Sequence, residues 1–261
     1  MPPAELATTR AEVHYAAEVV AAGSRAWLPP RPGWSHLAMH WDGQRAVFLG
    51  PRLPGGGRFA VGVLAATVSR LDRGGQAIDT LDLAGRTMDE ALGWLRRTAP
   101  IGLAAPTPRL GQHLPQSAHA EGGTFGEADP AARAELARWI GDLDLLLAEL
   151  ARARGAPAGT SWWPHHLDGA VRLSGGHGPD VSGGLSLGDR QSLAPYLYVT
   201  AAALPDSLPP LRHGEWHTGS WQGAWLPGER LAALPPTEQP GAARTFLEEA
   251  IDALQRDAGR P

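Results

Sequence analysis

One segment constrains the fold more than any other. Asp129-Pro130 opens a long stretch in which Leu136, Trp139, Ile140, Leu143, Leu147 and Leu150 recur at helical spacing. An aspartate can cap the first turn, and proline tolerates the position that needs no N–H donor. Gly155 is a fitting stop. This predicts a helix in mid-chain with strand-like segments on both sides, and the rest of the sequence arranges itself around it.

Before it, Thr9 and Glu12 have the spacing of a capping box, and Val13, Ala16, Ala17 and Val20 continue at helical period. The expected helix covers residues 10–22. Pro29, Pro30, Pro32 and Gly33 then break the chain. Asp42-Gly43 between 34–41 and 44–49 predicts a hairpin with a two-residue turn. That register puts Leu37, Met39, Trp41, Ala46 and Phe48 on one apolar face. Strand-like segments follow at 58–70 and 76–83. Thr87 and Glu90 form a second capping-box pair, for a helix reaching about residue 98.

After the mid-chain helix, strand-like runs fall at roughly 160–173, 194–202 and 221–226. A last amphipathic helix, about 241–256, presents Phe246, Leu247, Ala250, Ile251 and Leu254. Both halves read helix, strands, helix. The expected fold is α+β, with mostly antiparallel sheets covered by helices. One domain of two packed halves is expected, 1–98 and 129–261, joined by a connector at 99–128.

Composition removes several chemistries. The chain of 261 residues contains no Cys and no Lys. Thiol nucleophiles and Cys-ligated metals are absent, as are the lysines of P-loops, protein kinases and pyridoxal phosphate Schiff bases. A net charge of −4 without a basic stripe argues against nucleic acid and against an anionic membrane surface. No signal-like segment opens the chain and no apolar run is long enough to span a bilayer, so a cytoplasmic protein is expected.

The segment Ser161-Trp162-Trp163-Pro164-His165-His166-Leu167-Asp168 is the most suggestive. If it is extended, His166 and Asp168 point the same way, about 7 Å apart. His166, Asp168 and His217, with Asp189 or His165, are candidate ligands for zinc or another divalent ion. They are equally candidate catalytic groups without a metal, with Asp168 orienting an imidazole as general base. Hydrogen bonding within loops is the third reading. His36 and His40 share the spacing of a helical zinc motif but are expected on a strand, where one ion cannot bridge them. Trp163, Asp189, Trp216 and Trp221 are candidate ligand-binding residues. The tryptophan cluster of the second half suits either a small-molecule pocket or a core. Gly55-Gly56-Gly57 and Gly175-Gly176-His177-Gly178 lack the strand–turn–helix setting of a dinucleotide fingerprint.

The run Trp163-Pro164-His165-His166-Leu167-Asp168-Gly169-Ala170 resembles the Trp-Pro-x-His-Phe-Asp-x-Ala segment of a broad bacterial domain family of unknown function. Ser186-Leu187-Gly188-Asp189 is similar to its Ser-Pro-Gly-Asp, with Leu187 where the family has proline. Pro195-Tyr196-Leu197-Tyr198-Val199 resembles its Pro-Tyr-Phe-Tyr strand. Trp216-His217-Thr218, Trp221 and Gly223-Ala224-Trp225-Leu226-Pro227 resemble its ending. The resemblance implies a continuous strand over 163–173 and places the region of interest in the second half. It implies no activity. Two functions follow as expectations: small-molecule binding or hydrolysis in a His/Asp/Trp-lined pocket, or a non-catalytic interaction protein, possibly a homodimer.

Overall fold

The computed structural model describes residues 6–98, 114–126, 128–157, 159–174, 180–189, 191–205 and 207–256. Its α+β fold has two antiparallel sheets. The first has the order β1-β2-β3-β4-β5, from His40–Asp42, Val47–Leu49, Arg58–Gly62, Thr67–Leu71 and Ala77–Asp82. The second has the order β10-β11-β9-β8-β7-β6. Its strands, in chain order, are β6 (Ser161–Trp163), β7 (Asp168–Leu173), β8 (Val181–Ser186), β9 (Tyr196–Ala201), β10 (Glu215–His217) and β11 (Gly223–Pro227). The helices are α1 (Ala7–Trp27), α2 (Met88–Arg97), α3 (Pro130–Ala153), α4 (Gly228–Ala232) and α5 (Gln239–Arg256). Among the described residues no helix is long and apolar enough to cross a membrane. The chain divides into two compact units. One is chiefly Glu5–Gly141 with Ser161–Leu167, and the other chiefly Asp142–Thr160 with Asp168–Pro261.

In the first unit α1 is buried nearly all round, its ionisable residues Arg10, Glu12, His14 and Glu18 included. Aromatic rings bind it to the sheet: Trp27 stacks on Phe59 at 5.7 Å, and Phe59 meets Trp94 of α2 edge-on at 5.9 Å. The expected capping box at Thr9 is not formed. The helix starts at Ala7 with no side-chain cap, and both Thr9 and Glu12 lie inside it and are buried. Glu12 instead pairs with the Arg133 guanidinium of α3, and its other oxygen accepts from the Gly126 and Ala128 N–H groups at 2.9 and 3.1 Å. Arg133 also donates to the Val63 carbonyl. The capping box at Thr87 and Glu90 is present, and the Asp129 carboxylate accepts from the Ala131 N–H at 2.7 Å.

The hairpin at Asp42 has a four-residue loop, Gly43–Ala46, where a two-residue turn was expected. The Asp42 carboxylate holds the Arg45 N–H and Nε, and Ala46 closes the loop at φ 52°. The register becomes Trp41 opposite Phe48. That is an even shift, so both stay on one face. Ala66 and Leu167 close the 63–66 and 164–167 loops in the same way, at φ 50° and 51°. His36 is not on a strand. It is buried in the turn before β1, where its Nδ1 accepts from the Arg31 N–H. β5 stands at an edge of the first sheet, exposed along most of its length, with Ile78 55% accessible. Residues 114–126 of the expected connector are ordered. Tyr15 donates to the Pro115 carbonyl, and the Phe125 backbone bonds to Gly85 and Arg86. Residues 99–113 and the Gly175–Gly178 run lie outside the described residues.

Two measurements test this unit. Removing one member of a buried ion pair strands its partner, so Arg133→Met should lower unfolding free energy by about 3–5 kcal/mol in urea titration. The second concerns His14 of α1, which burial and then the Arg10 guanidinium hold at a pKa of about 3, with His166 pushing the same way and the Pro164 and His165 carbonyls opposing. The unfolded chain takes up a proton near 6.5 that the folded chain refuses. Stability from this group is therefore complete above pH 6.5 and declines as pH falls toward 3. His14→Gln should flatten that acid limb of the stability profile.

Candidate functional site

The ladder registers of the second unit sort its residues onto two faces. Val171, Leu185, Leu197, Val199, Ala224 and Leu226 share one face and are buried. Leu247 and Ile251 of α5 pack behind Gly183 there. Asp168, Ser186, Tyr196, Tyr198, Trp225, Glu215 and His217 fall on the other face. Two glycines make this second face possible. A Cβ at Gly184 would stand 2.6 Å from Cζ of Tyr198, and one at Gly223 would stand 2.7 Å from the Trp221 ring.

Two phenol–carboxylate pairs lie side by side on this face. Tyr196 donates to Asp189 and Tyr198 donates to Asp168, each at 2.6 Å, with the rings 6.4 Å apart. The second oxygen of Asp189 accepts from the Gln191 and Ser192 N–H groups, which ties the carboxylate into its loop. Burial raises the pKa of both phenols. For Tyr196 the bond to Asp189 adds to this, and for Tyr198 the negative charge of Asp168 does. Both rings therefore remain neutral donors across the physiological range.

An aromatic corner adjoins the pairs. His217 stacks on Trp221 with ring centres 4.4 Å apart, and Trp225 meets Tyr196 and His217 edge-on. Nδ1 of His217 lies 2.7 Å from the Trp221 carbonyl oxygen, so it carries the proton and donates. In a ring carrying that one proton, Nε2 would be the acceptor. Glu215, at the rim, accepts from Trp225 Nε1 and pairs with Arg230 at 2.9 Å.

The expected site residues separate. Asp168, Asp189, His217 and Trp221 come together on this face, through Tyr196, Tyr198 and Trp225. Trp216 points to the opposite side of β10 and donates to the Pro209 carbonyl. The continuous strand expected over 163–173 is broken. Pro164–Leu167 form a turn closed by hydrogen bonds from the His166 and Leu167 N–H groups to the Trp163 carbonyl. Proline at 164 has no N–H to extend a ladder. His166 is exposed in that turn and Asp168 heads the next strand, so the alternation that would give them a shared face does not apply. In the first unit Trp163 donates to the Gly33 carbonyl, and His165 lies between Trp34 and His166. Among the described residues no group of three or more His, Asp or Glu side chains is placed to hold a metal ion, and His166, Asp168 and His217 are not such a group. Tyr196, Tyr198 and Glu215 were not anticipated as site residues. The alternation Tyr-x-Tyr in a strand is the signal that would have put both phenols on one face.

Comparison with known families, with curated proteins and with solved structures finds no match to this chain.

All three tyrosines, Tyr15 included, are shifted upward, in each case chiefly by burial. The folded protein should therefore show no phenolate absorbance step near pH 10, where free tyrosine ionises. The unfolded chain loses these protons and the folded chain keeps them, so stability must fall as pH rises above about 10. The step at 295 nm should coincide with loss of near-ultraviolet circular dichroism, and Asp168→Asn should bring part of it to lower pH.

Proposed function

We propose that the polar face of the second sheet binds a small, flat molecule bearing a cationic or N–H-rich group. The observation that carries this is the convergence of two carboxylates, each held by a tyrosine, with a corner of Trp221, Trp225 and His217. Carboxylates at a half-buried surface favour positive charge, and aromatic faces attract cations. The resemblance to the bacterial domain family supports the same location. Its Asp, Gly-Asp, Tyr-x-Tyr and Trp-His motifs supply Asp168, Asp189, Tyr196, Tyr198 and His217, scattered in sequence and gathered here.

A hydrolytic reading draws on one specific feature. His217 has its Nδ1 proton engaged by a backbone carbonyl and its Nε2 as acceptor, which is the tautomer a general base requires. In that reading Nε2 takes the proton of a water attacking the bound molecule, while the two phenols orient it.

Tryptophan fluorescence and calorimetry with benzamidine and tryptamine as cationic probes, and phenylacetate as an anion, test the binding reading. The cations should bind at least about tenfold more tightly than the anion. Trp221→Ala and Asp168→Asn should each weaken them by a similar factor, while Trp139→Phe on α3 should not. Equal binding of cation and anion, or no effect of either variant, would overturn it.

A further inference from the structure

Two segments meet beside the phenol–carboxylate pairs, and one side chain joins them. The first holds Asp189, Gln191 and Ser192 and is closed on itself. The Asp189 N–H donates to the Ser192 carbonyl at 2.7 Å, and one carboxylate oxygen accepts from the Gln191 and Ser192 N–H groups at 2.7 and 3.1 Å. The other oxygen holds Tyr196. The second segment runs from His217 to Trp221. His217 Nδ1 donates to the Trp221 carbonyl, and the two rings lie 4.4 Å apart and within 11° of parallel.

Gln191 spans the gap between them. Its Oε1 accepts from Trp221 Nε1 at 3.3 Å, and its Nε2 donates to the Ser220 hydroxyl. Among the described residues no other hydrogen bond ties the two segments together. An amide suits this place because one planar group supplies both an acceptor and a donor. The ring it holds has little beneath it. A Cβ at Gly223 would stand 2.7 Å from the Trp221 ring, so the ring occupies space that any other residue there would fill. Tyr198 meets Trp221 only edge-on, at 6.4 Å. Stacking on an imidazole sets the plane of an indole but lets it slide and turn within that plane. A bond at Nε1 removes that freedom, since it fixes the one polar atom on the ring's edge.

We infer, resting on the binding reading above, that Gln191 is a positioning residue that holds the Trp221 ring in register with the Asp189 carboxylate. The backbone N–H of Gln191 orients the carboxylate and its side chain orients the indole, so the two ends of the site are set by one residue. A ligand's cationic group and its flat body are then received at a fixed spacing. Such a register favours a rigid ligand, in which the spacing is built in, over a flexible one that must be frozen to meet it.

NMR of the His217 ring reads the stack directly, because the Trp221 ring current displaces the imidazole proton signals. Gln191→Leu should return those signals most of the way toward a free imidazole, with circular dichroism unchanged. It should weaken the rigid benzamidine by about threefold to tenfold and the flexible tryptamine by less. Gln191→Glu, which still accepts from Trp221 and can accept from the Ser220 hydroxyl, should keep the stack. Gln222→Leu, the same change one residue from Trp221, should leave both readouts as they were. His217 signals unmoved in folded Gln191→Leu, or moved as far by Gln222→Leu, would overturn the inference. So would equal losses of benzamidine and tryptamine. If benzamidine and tryptamine do not bind the wild-type protein, the binding reading falls; loss of the stack in Gln191→Leu would still establish its hold on Trp221.

Discussion

A helix buried on every side imposes one rule on the first unit: a charge it carries must be answered inside the protein or given up. Seventeen of the 21 residues of α1 are buried, and they include Arg10, Glu12, His14 and Glu18. Glu18 meets both Nη atoms of Arg25 at 2.9 and 3.1 Å on the same helix. Glu12 reaches Arg133, 121 residues away, and gathers two backbone N–H groups of the segment before α3. An unanswered charge there would cost several kcal/mol, so these bonds do more to fix which segments meet than to add net stability. His14 obeys the same rule differently, by staying neutral.

The second unit solves a different problem. Its sheet has one face against α5 and must give the other something to do. The glycines of β8 are the key to both. Gly183 lets Ile251 and Leu247 approach one side, and Gly184 makes room for the Tyr198 ring on the other. The side-chain volume missing from β8 is supplied by neighbours: an aliphatic helix behind and a phenol in front. The phenol is placed by the backbone gap below it and by the carboxylate beside it, so its position is set twice over.

The parts of this fold that were legible in sequence are those specified by neighbours along the chain. The capping box at Thr87 and Glu90, the Asp129-Pro130 helix start and the α5 stripe are all local patterns, and all are present. What failed depended on distant partners. Thr9 and Glu12 have a capping spacing, but nothing nearby announces that Glu12 is claimed by Arg133. β8 was missed because Gly183-Gly184 removes the alternation by which a strand is recognised. β10 is only three residues long. A shared face for His166 and Asp168 was conditional on an extended segment, and the turn at 164–167 removes that condition. The region of the candidate site was readable from its motifs; Asp168, Asp189, His217 and Trp221 do meet there. The phenols that join the carboxylates were not, because a tyrosine in a strand reads first as packing.

The exposed edge at β5 has a further consequence. Among the described residues no strand pairs with its outer flank, whose backbone groups a chain lying alongside could meet, and Ile78 supplies an apolar foothold. Asp79 and Asp82 are the counterweight, since two copies approaching edge to edge would bring like charges together. The barrier to self-association is thus written in carboxylates and not in shape. In acid, where His14 already draws the folded state toward opening, this edge is the flank along which a second chain would find its first backbone partners.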